Sequence, residues 1–162
     1  MNQFAQALGS KFIEHKEEIR IRTFELGGHT FKVKVPLTSE YELMQKKMNI
    51  PDDEVVEKYY QEITKDLIAN KEKFINEDGI KYTENDVIVK DKSLREAAKN
   101  KAVTESRITA LFKLLVPEEK DFDMDTITYE MIEELFPFAV QIQIIDAIGE
   151  TIAPDYSTNR GK

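Results

Sequence analysis

The sequence contains no cysteine, so no disulfide can brace the fold, a composition that fits a reducing compartment. Histidine occurs only at His15 and His29. Neither has a second histidine or a cysteine at ligand spacing, so a zinc site has no support and both read as ordinary surface residues. Long apolar runs are missing too. The longest apolar-leaning stretch, Leu135 to Ile145, is interrupted by Gln141 and Gln143 and is too short to cross a bilayer. Met1 to Ser10 shows no basic segment followed by an apolar one, so no signal peptide is expected. Cations are the minority: 23 Lys and Arg stand against 31 Asp and Glu, for a net charge of -8. Nucleic acid and membrane are therefore not expected as partners, since phosphate contact needs a cationic surface. The densest basic stretch, Lys92 to Lys101, also holds Glu96 and reads as a solvated helix face.

What is present is a globular balance, 41% hydrophobic and 33% charged over 162 residues, enough chain for one domain with a core. The pattern predicts a mainly α fold: a single small helical domain over residues 1–152 with an N-terminal β-hairpin at about 19–35, followed by a flexible polar tail at 153–162. Asn2 to Glu18 carries a helical stripe of Phe4, Leu8, Phe12 and Ile13, weakened by Gly9. The period then changes. Phe31, Val33 and Val35 alternate with Thr30, Lys32 and Lys34, and Gly27-Gly28 supplies the positive φ angles of a two-residue turn. That turn sets Leu26 opposite His29 and Phe24 opposite Phe31, an aromatic cross-strand pair.

Ser39 with Glu42 suggests a capping box for a helix through about Met48. Pro51-Asp52-Asp53 opens a longer one, with Val56, Tyr60, Ile63, Leu67 and Phe74 tracing one face to about Ile75. Ile80, Tyr82, Val87 and Val89 alternate about Glu84-Asn85-Asp86, which suggests a second short hairpin at about 80–89, with a bare loop as the alternative. Ser93 and Glu96 cap a helix to about Leu115, which Pro117 stops. A last helical segment starts near Thr128, bends or breaks at Pro137 and ends at Gly149.

No motif carries chemistry, so no catalytic, cofactor-binding or metal-ligating residues are expected and no cofactor is implied. Asp121, Asp123 and Asp125 begin as a calcium loop does. The glycine and glutamate such a loop needs are replaced by Thr126 and Ile132. Gly27-Gly28 lacks the spacing of a phosphate loop. What remains is surface for proteins. Phe136, Phe138, Ile142, Ile145 and Ile148 make the C-terminal helix apolar on more than one side, as expected of a helix that is core or shared with another subunit. Phe24 and Phe31 of the hairpin are the other interaction candidates. A carboxylate at position 142 or 145 is expected to do severe harm, by unfolding if the helix is core and by loss of oligomers if it is an interface.

The stretch from Phe24 through Gly27-Gly28 to Val35 and Pro36, followed by Leu37-Thr38-Ser39-Glu40-Tyr41 opening a helix and a small acidic helical body, resembles the tail assembly chaperones of long-tailed bacteriophages. The resemblance is strongest in this hairpin-to-helix region. It implies a non-enzymatic protein of the infected host's cytoplasm, absent from the mature virion. Such a protein self-associates, coats the tape measure protein and helps recruit tail tube subunits. The competing expectations are a small acidic adaptor or regulator that binds one folded partner and, behind it, an enzyme with an unrecognised site.

Overall fold

The computed structural model describes residues 2–153. In chain order the elements are α1 (Gln3–Leu8), α2 (Ser10–His15), β1 (Ile21–Leu26), β2 (His29–Lys34), α3 (Thr38–Asn49) and α4 (Asp53–Ala69). They continue with α5 (Lys71–Phe74), β3 (Ile80–Tyr82), β4 (Val87–Val89), β5 (Lys92–Ser93), α6 (Leu94–Phe112), α7 (Tyr129–Leu135) and α8 (Phe138–Ile152). The fold is mainly α, with two small antiparallel sheets. Where the sequence pattern ran as one domain over 1–152, backbone contacts group the chain into two compact units. One comprises residues 2–42 with 108–153, the other Leu43–Arg107. Of the expected tail only Ala153 is described, as a bend after α8; the rest lies outside the described residues.

In the first unit, Gly9 at φ 103 divides the expected N-terminal helix into α1 and α2, a backbone conformation that a residue with a Cβ rarely adopts. The Asn2 side chain accepts the Phe4 N–H at 2.8 Å and starts α1. A 3-10 turn at Glu18–Arg20 delays β1 to Ile21, two residues later than the alternation suggests. Gly27 and Gly28, at φ 59 and 81, close a two-residue turn whose left-handed angles match the twist of the strands. The register pairs Leu26 with His29, Phe24 with Phe31 and Arg22 with Val33. The two phenyl rings stack with centroids 5.1 Å apart, and His29 sits edge-on to Phe31.

A two-stranded hairpin cannot hold itself together in water. Here α8 packs against both strands, and Val33, Ile108, Ile144 and Ile148 are fully buried. The strip after α6 then pairs with the outer edge of β2. The Lys34 N–H donates to the Leu114 carbonyl at 2.9 Å and the Val116 N–H to the Lys32 carbonyl at 2.8 Å. Pro117 follows that strip; α6 itself ends at Phe112, three residues before the expected Leu115, because the chain turns there to pair with β2.

The cap of α3 is shifted from its expected place. The Glu40 carboxylate, not Glu42, reaches back, accepting the Leu37 N–H at 2.8 Å. The Tyr41 N–H closes the first turn on the Leu37 carbonyl. The helix therefore starts as soon as Pro36 has ended the extended chain, two residues before a Ser39 cap would allow. The Leu37 N–H, with Arg20 beside it, holds the Glu40 carboxyl below the usual carboxylate range.

In the second unit the Asp52 side chain caps α4 through the Glu54 N–H. The inward residues of α4 are Tyr60 and Thr64, while Ile63 is 42% exposed. The buried Thr64 hydroxyl donates to the Tyr60 carbonyl one turn back, which is how a hydroxyl can replace the expected isoleucine in the core. The second hairpin forms as β3 and β4, with Ile80 opposite Val89 and Tyr82 opposite Val87, and β5 adds a third strand. Its organiser is Asp86. The carboxylate accepts the N–H groups of Val87 and Arg95 and the Ser93 hydroxyl, joining the hairpin turn to the start of α6. Ser93 Oγ in turn accepts the Glu96 N–H at 3.0 Å, the expected cap. Burial pushes the Asp86 carboxyl up, but the Ser93, Arg95 and Val87 hydrogen bonds and the Arg95 charge outweigh it, leaving it below its ordinary value.

Two outcomes are expected. Ile148→Ala should cost about 3 kcal/mol in urea unfolding, because a fully buried isoleucine leaves a cavity. Asp86→Asn should cost about 2 kcal/mol at neutral pH, the scale of lost charge-assisted hydrogen bonds. Because the folded-state pKa of Asp86 lies below its unfolded value near 3.8, its contribution is complete above that pH. It is lost as pH falls through the folded value. The stability gap between the two proteins should therefore narrow on acidification below about pH 4. A gap independent of pH would contradict this.

Candidate functional site

Several polar side chains of the described residues are engaged in caps and ion pairs. Glu17 bonds Lys34 at 2.6 Å, which lowers its carboxyl pKa. The Asp123 carboxylate, one of the three alternate aspartates, accepts the Asp125 N–H and caps a 3-10 turn. Among the described residues no group of three His, Cys, Asp or Glu could hold a metal ion. No single described helix is long and apolar enough to cross a membrane. Among the described residues, the features suited to recognition include apolar side chains left in solvent and a cleft.

The first lies at the corner between α7 and α8. Thr128 caps α7, and Pro137, lacking an N–H, ends its helical pattern, so that α8 leaves at 112°. The corner is locked from within by Gln141, which is 1% exposed. Its Nε2 donates to the Phe136 carbonyl and its Oε1 accepts the Tyr129 hydroxyl, each at 2.9 Å. The Phe136 carbonyl at the break thereby gains a buried partner. The ring of Phe136 is half-buried against Phe112, with centroids 5.8 Å apart.

The seven interaction candidates separate accordingly. Ile145 and Ile148 are core, Ile142 is half-buried, and Phe138 is 56% exposed. Phe24 and Phe31 are half-buried in their stack on the hairpin face that carries Val33. The helix that is apolar all round thus has an inner stripe that is core and an exposed beginning. Two residues join Phe138 at the surface: Met131, 42% exposed, and Leu135, 74% exposed. They stand four apart on α7 and so share one side of it. The sequence signal was available, since Met131 and Leu135 recur at helical spacing among Glu130, Glu133 and Glu134. Further apolar side chains stand in solvent at the N-terminus of the same unit, Phe4 at 69%, Leu8 at 48% and Ile19 at 70%.

The second unit carries an open cleft of about 750 Å³ lined by Asn49, Ile50, Pro51, Asp53, Val56, Glu57, Asp86, Ser93, Arg95, Glu96 and Lys99. Arg95 is fixed in its wall. The guanidinium donates to Glu57 and to the Asn85 carbonyl, both at 2.7 Å, and lies 3.8 Å from the centre of the Tyr60 ring. The bond from Arg95 also lowers the pKa of Glu57. Ile50 is 75% exposed beside this charged wall. An apolar lip against a rigid polar wall suits a side chain with both characters. Sequence reading did not single out this cleft, because its members come from segments far apart in the chain.

The corner yields a contrast that one experiment resolves. Ile145→Asp buries an unpaired carboxylate and should unfold the first unit, a loss above about 4 kcal/mol. Phe138→Asp should leave the melting temperature within about 2 °C of the parent, and Ile142→Asp should fall between. Thermal melts followed by circular dichroism will rank the three, and an unfolded Phe138→Asp would show that the corner is core.

Comparison with protein-family models, with curated proteins and with solved structures finds no match to this chain.

Proposed function

We propose that this chain is a non-enzymatic tail assembly chaperone of a long-tailed bacteriophage. In this reading it self-associates on the tape measure protein, keeps it soluble and helps recruit tail tube subunits. It acts in the host cytoplasm and leaves before the particle is complete. The observation that carries the reading is the surface of the first unit. Large apolar side chains at Met131, Leu135 and Phe138, and at Phe4, Leu8 and Ile19, are held in solvent on a chain of net charge -8. A protein that coats a long client needs many weak apolar contacts, repeated along the client and releasable when the tube forms. The acidic balance keeps the loaded complex soluble. The hairpin-to-helix order on which the resemblance rests is also present, from Phe24 through Pro36 into α3.

The cleft beside Arg95 favours a second reading, an acidic adaptor that binds one folded partner. A pull-down of the tagged chain from phage-producing cells, followed by mass spectrometry, separates the two. Recovery of a very long helical phage protein, lost with the Leu135→Asp/Phe138→Asp double variant, is the expected result. Recovery of one small folded partner that survives the double variant and is lost with Ile50→Asp would replace the chaperone reading with the adaptor.

A further inference from the structure

Among the described residues, one edge of the first hairpin is taken and the other is open. In a two-residue turn, Leu26 and His29 exchange both backbone hydrogen bonds, so by alternation Phe24 with Phe31 and Arg22 with Val33 do the same. The backbone groups of Thr30, Lys32 and Lys34 therefore point outward from β2, and the bonds of Lys32 and Lys34 to Val116 and Leu114 use that edge. By the same alternation, the N–H and C=O of Thr23 and Glu25 point outward from β1. No described residue bonds any of these four groups, and both residues are exposed. β1 runs six residues without a proline or a bulge, so its backbone can accept a further strand along its length.

We propose that the open edge of β1 docks on the β1 edge of a second copy, antiparallel and centred on Phe24. The edge is self-complementary. A two-fold axis through Phe24 sets Thr23 opposite the partner copy's Glu25, and the reverse. All four free groups of each copy are then used in four hydrogen bonds. The pairing places Phe24 against Phe24 of the second copy, extending on both sides the stack it makes with Phe31. It also opposes Glu25 to a threonine rather than to another glutamate, so no like charges face each other directly. Any register displaced by one residue points the free groups past one another, because the alternation has a period of two. A second β1 edge meets this one in register and brings no like charges face to face. An edge contact of this kind buries little area, so the dimer is weak and concentration-dependent.

This supplies an interface for the self-association in the reading above and to that extent rests on that reading. The test uses the purified full chain with no client, so its failure is distinguishable from failure of client holding. Sedimentation velocity from about 5 to about 500 μM should show a reversible monomer–dimer equilibrium. Hydrogen exchange at the two ends of that range should slow the Thr23 and Glu25 amides at least about tenfold at high concentration, since only these join the new ladder. The amides of Phe24 and Leu26, already bonded within the hairpin, should not change. Thr23→Pro removes one outward N–H and leaves the bonds between β1 and β2 in place, and it should weaken the dimer at least about tenfold. If that variant does not fold, the exchange pattern of the parent decides. A chain that stays monomeric throughout, or one that associates without slowing Thr23 and Glu25, overturns the proposal.

Discussion

The burial of the hairpin's inner face against α8 is the contact on which the rest of the first unit depends. β1 and β2 offer one apolar face, centred on Val33, and a polar face of Thr23, Glu25, Thr30 and Lys32 that stays in water. Such a ribbon is stable only when something covers the apolar side. α8 does so with Ile144 and Ile148, both without exposed surface. Arg22 donates to the Thr151 carbonyl in the last turn of α8 at 2.9 Å, a cation placed where the helix dipole favours it. The strip at Leu114–Val116 covers one edge. The sharp bend before α8 follows from Pro137 and is held by Gln141, whose buried amide meets both the Phe136 carbonyl and the Tyr129 hydroxyl. A polar residue inside the most apolar helix is thus part of its packing.

The second unit depends instead on a polar centre. Asp86 gathers the turn of the second hairpin, the hydroxyl of Ser93 and the Arg95 N–H at the start of α6. Arg95 leaves the same helix start to bond Glu57 and cover the Tyr60 ring. Three of the charges in that wall, Glu57, Asp86 and Arg95, are held by hydrogen bonds. A small sheet of three short strands has little area to bury, so directional hydrogen bonds do the positioning that packing does in the first unit.

Much of this order was legible in the sequence where a residue type has one local use. Gly27-Gly28 could only be a tight turn between alternating strands, and the register that follows from it is the one observed. Pro137 marked the break between α7 and α8, and Ser93 with Glu96 marked the start of α6. Features that depend on distant partners were not legible. The pairing of Leu114–Val116 with β2 joins residues about eighty positions apart and leaves no periodic trace. Thr64 was passed over for Ile63 because hydrophobicity alone ranks isoleucine inward, whereas the helix phase set by Tyr60 turns position 64 to the core. The Glu40 cap was missed because the residue it bonds, Leu37, is not a capping type. Among the interaction candidates, Ile145 and Phe138 look alike in composition. Only the bend at Pro137 decides that one is buried and the other exposed.

The exposed apolar residues are where the fold and the proposed role meet. A chain that spends its apolar surface only on its own core has no means of holding a client. This chain leaves Leu135 and Phe138 in water beside a corner that Gln141 makes rigid. The most direct test of client holding is a light-scattering assay of a purified tape measure segment diluted from denaturant, with and without this chain in molar excess. The account predicts that the chain suppresses aggregation in a dose-dependent way and that the segment stays in the supernatant bound to it. Aggregation at an unchanged rate, with the chain left free in solution, would contradict it.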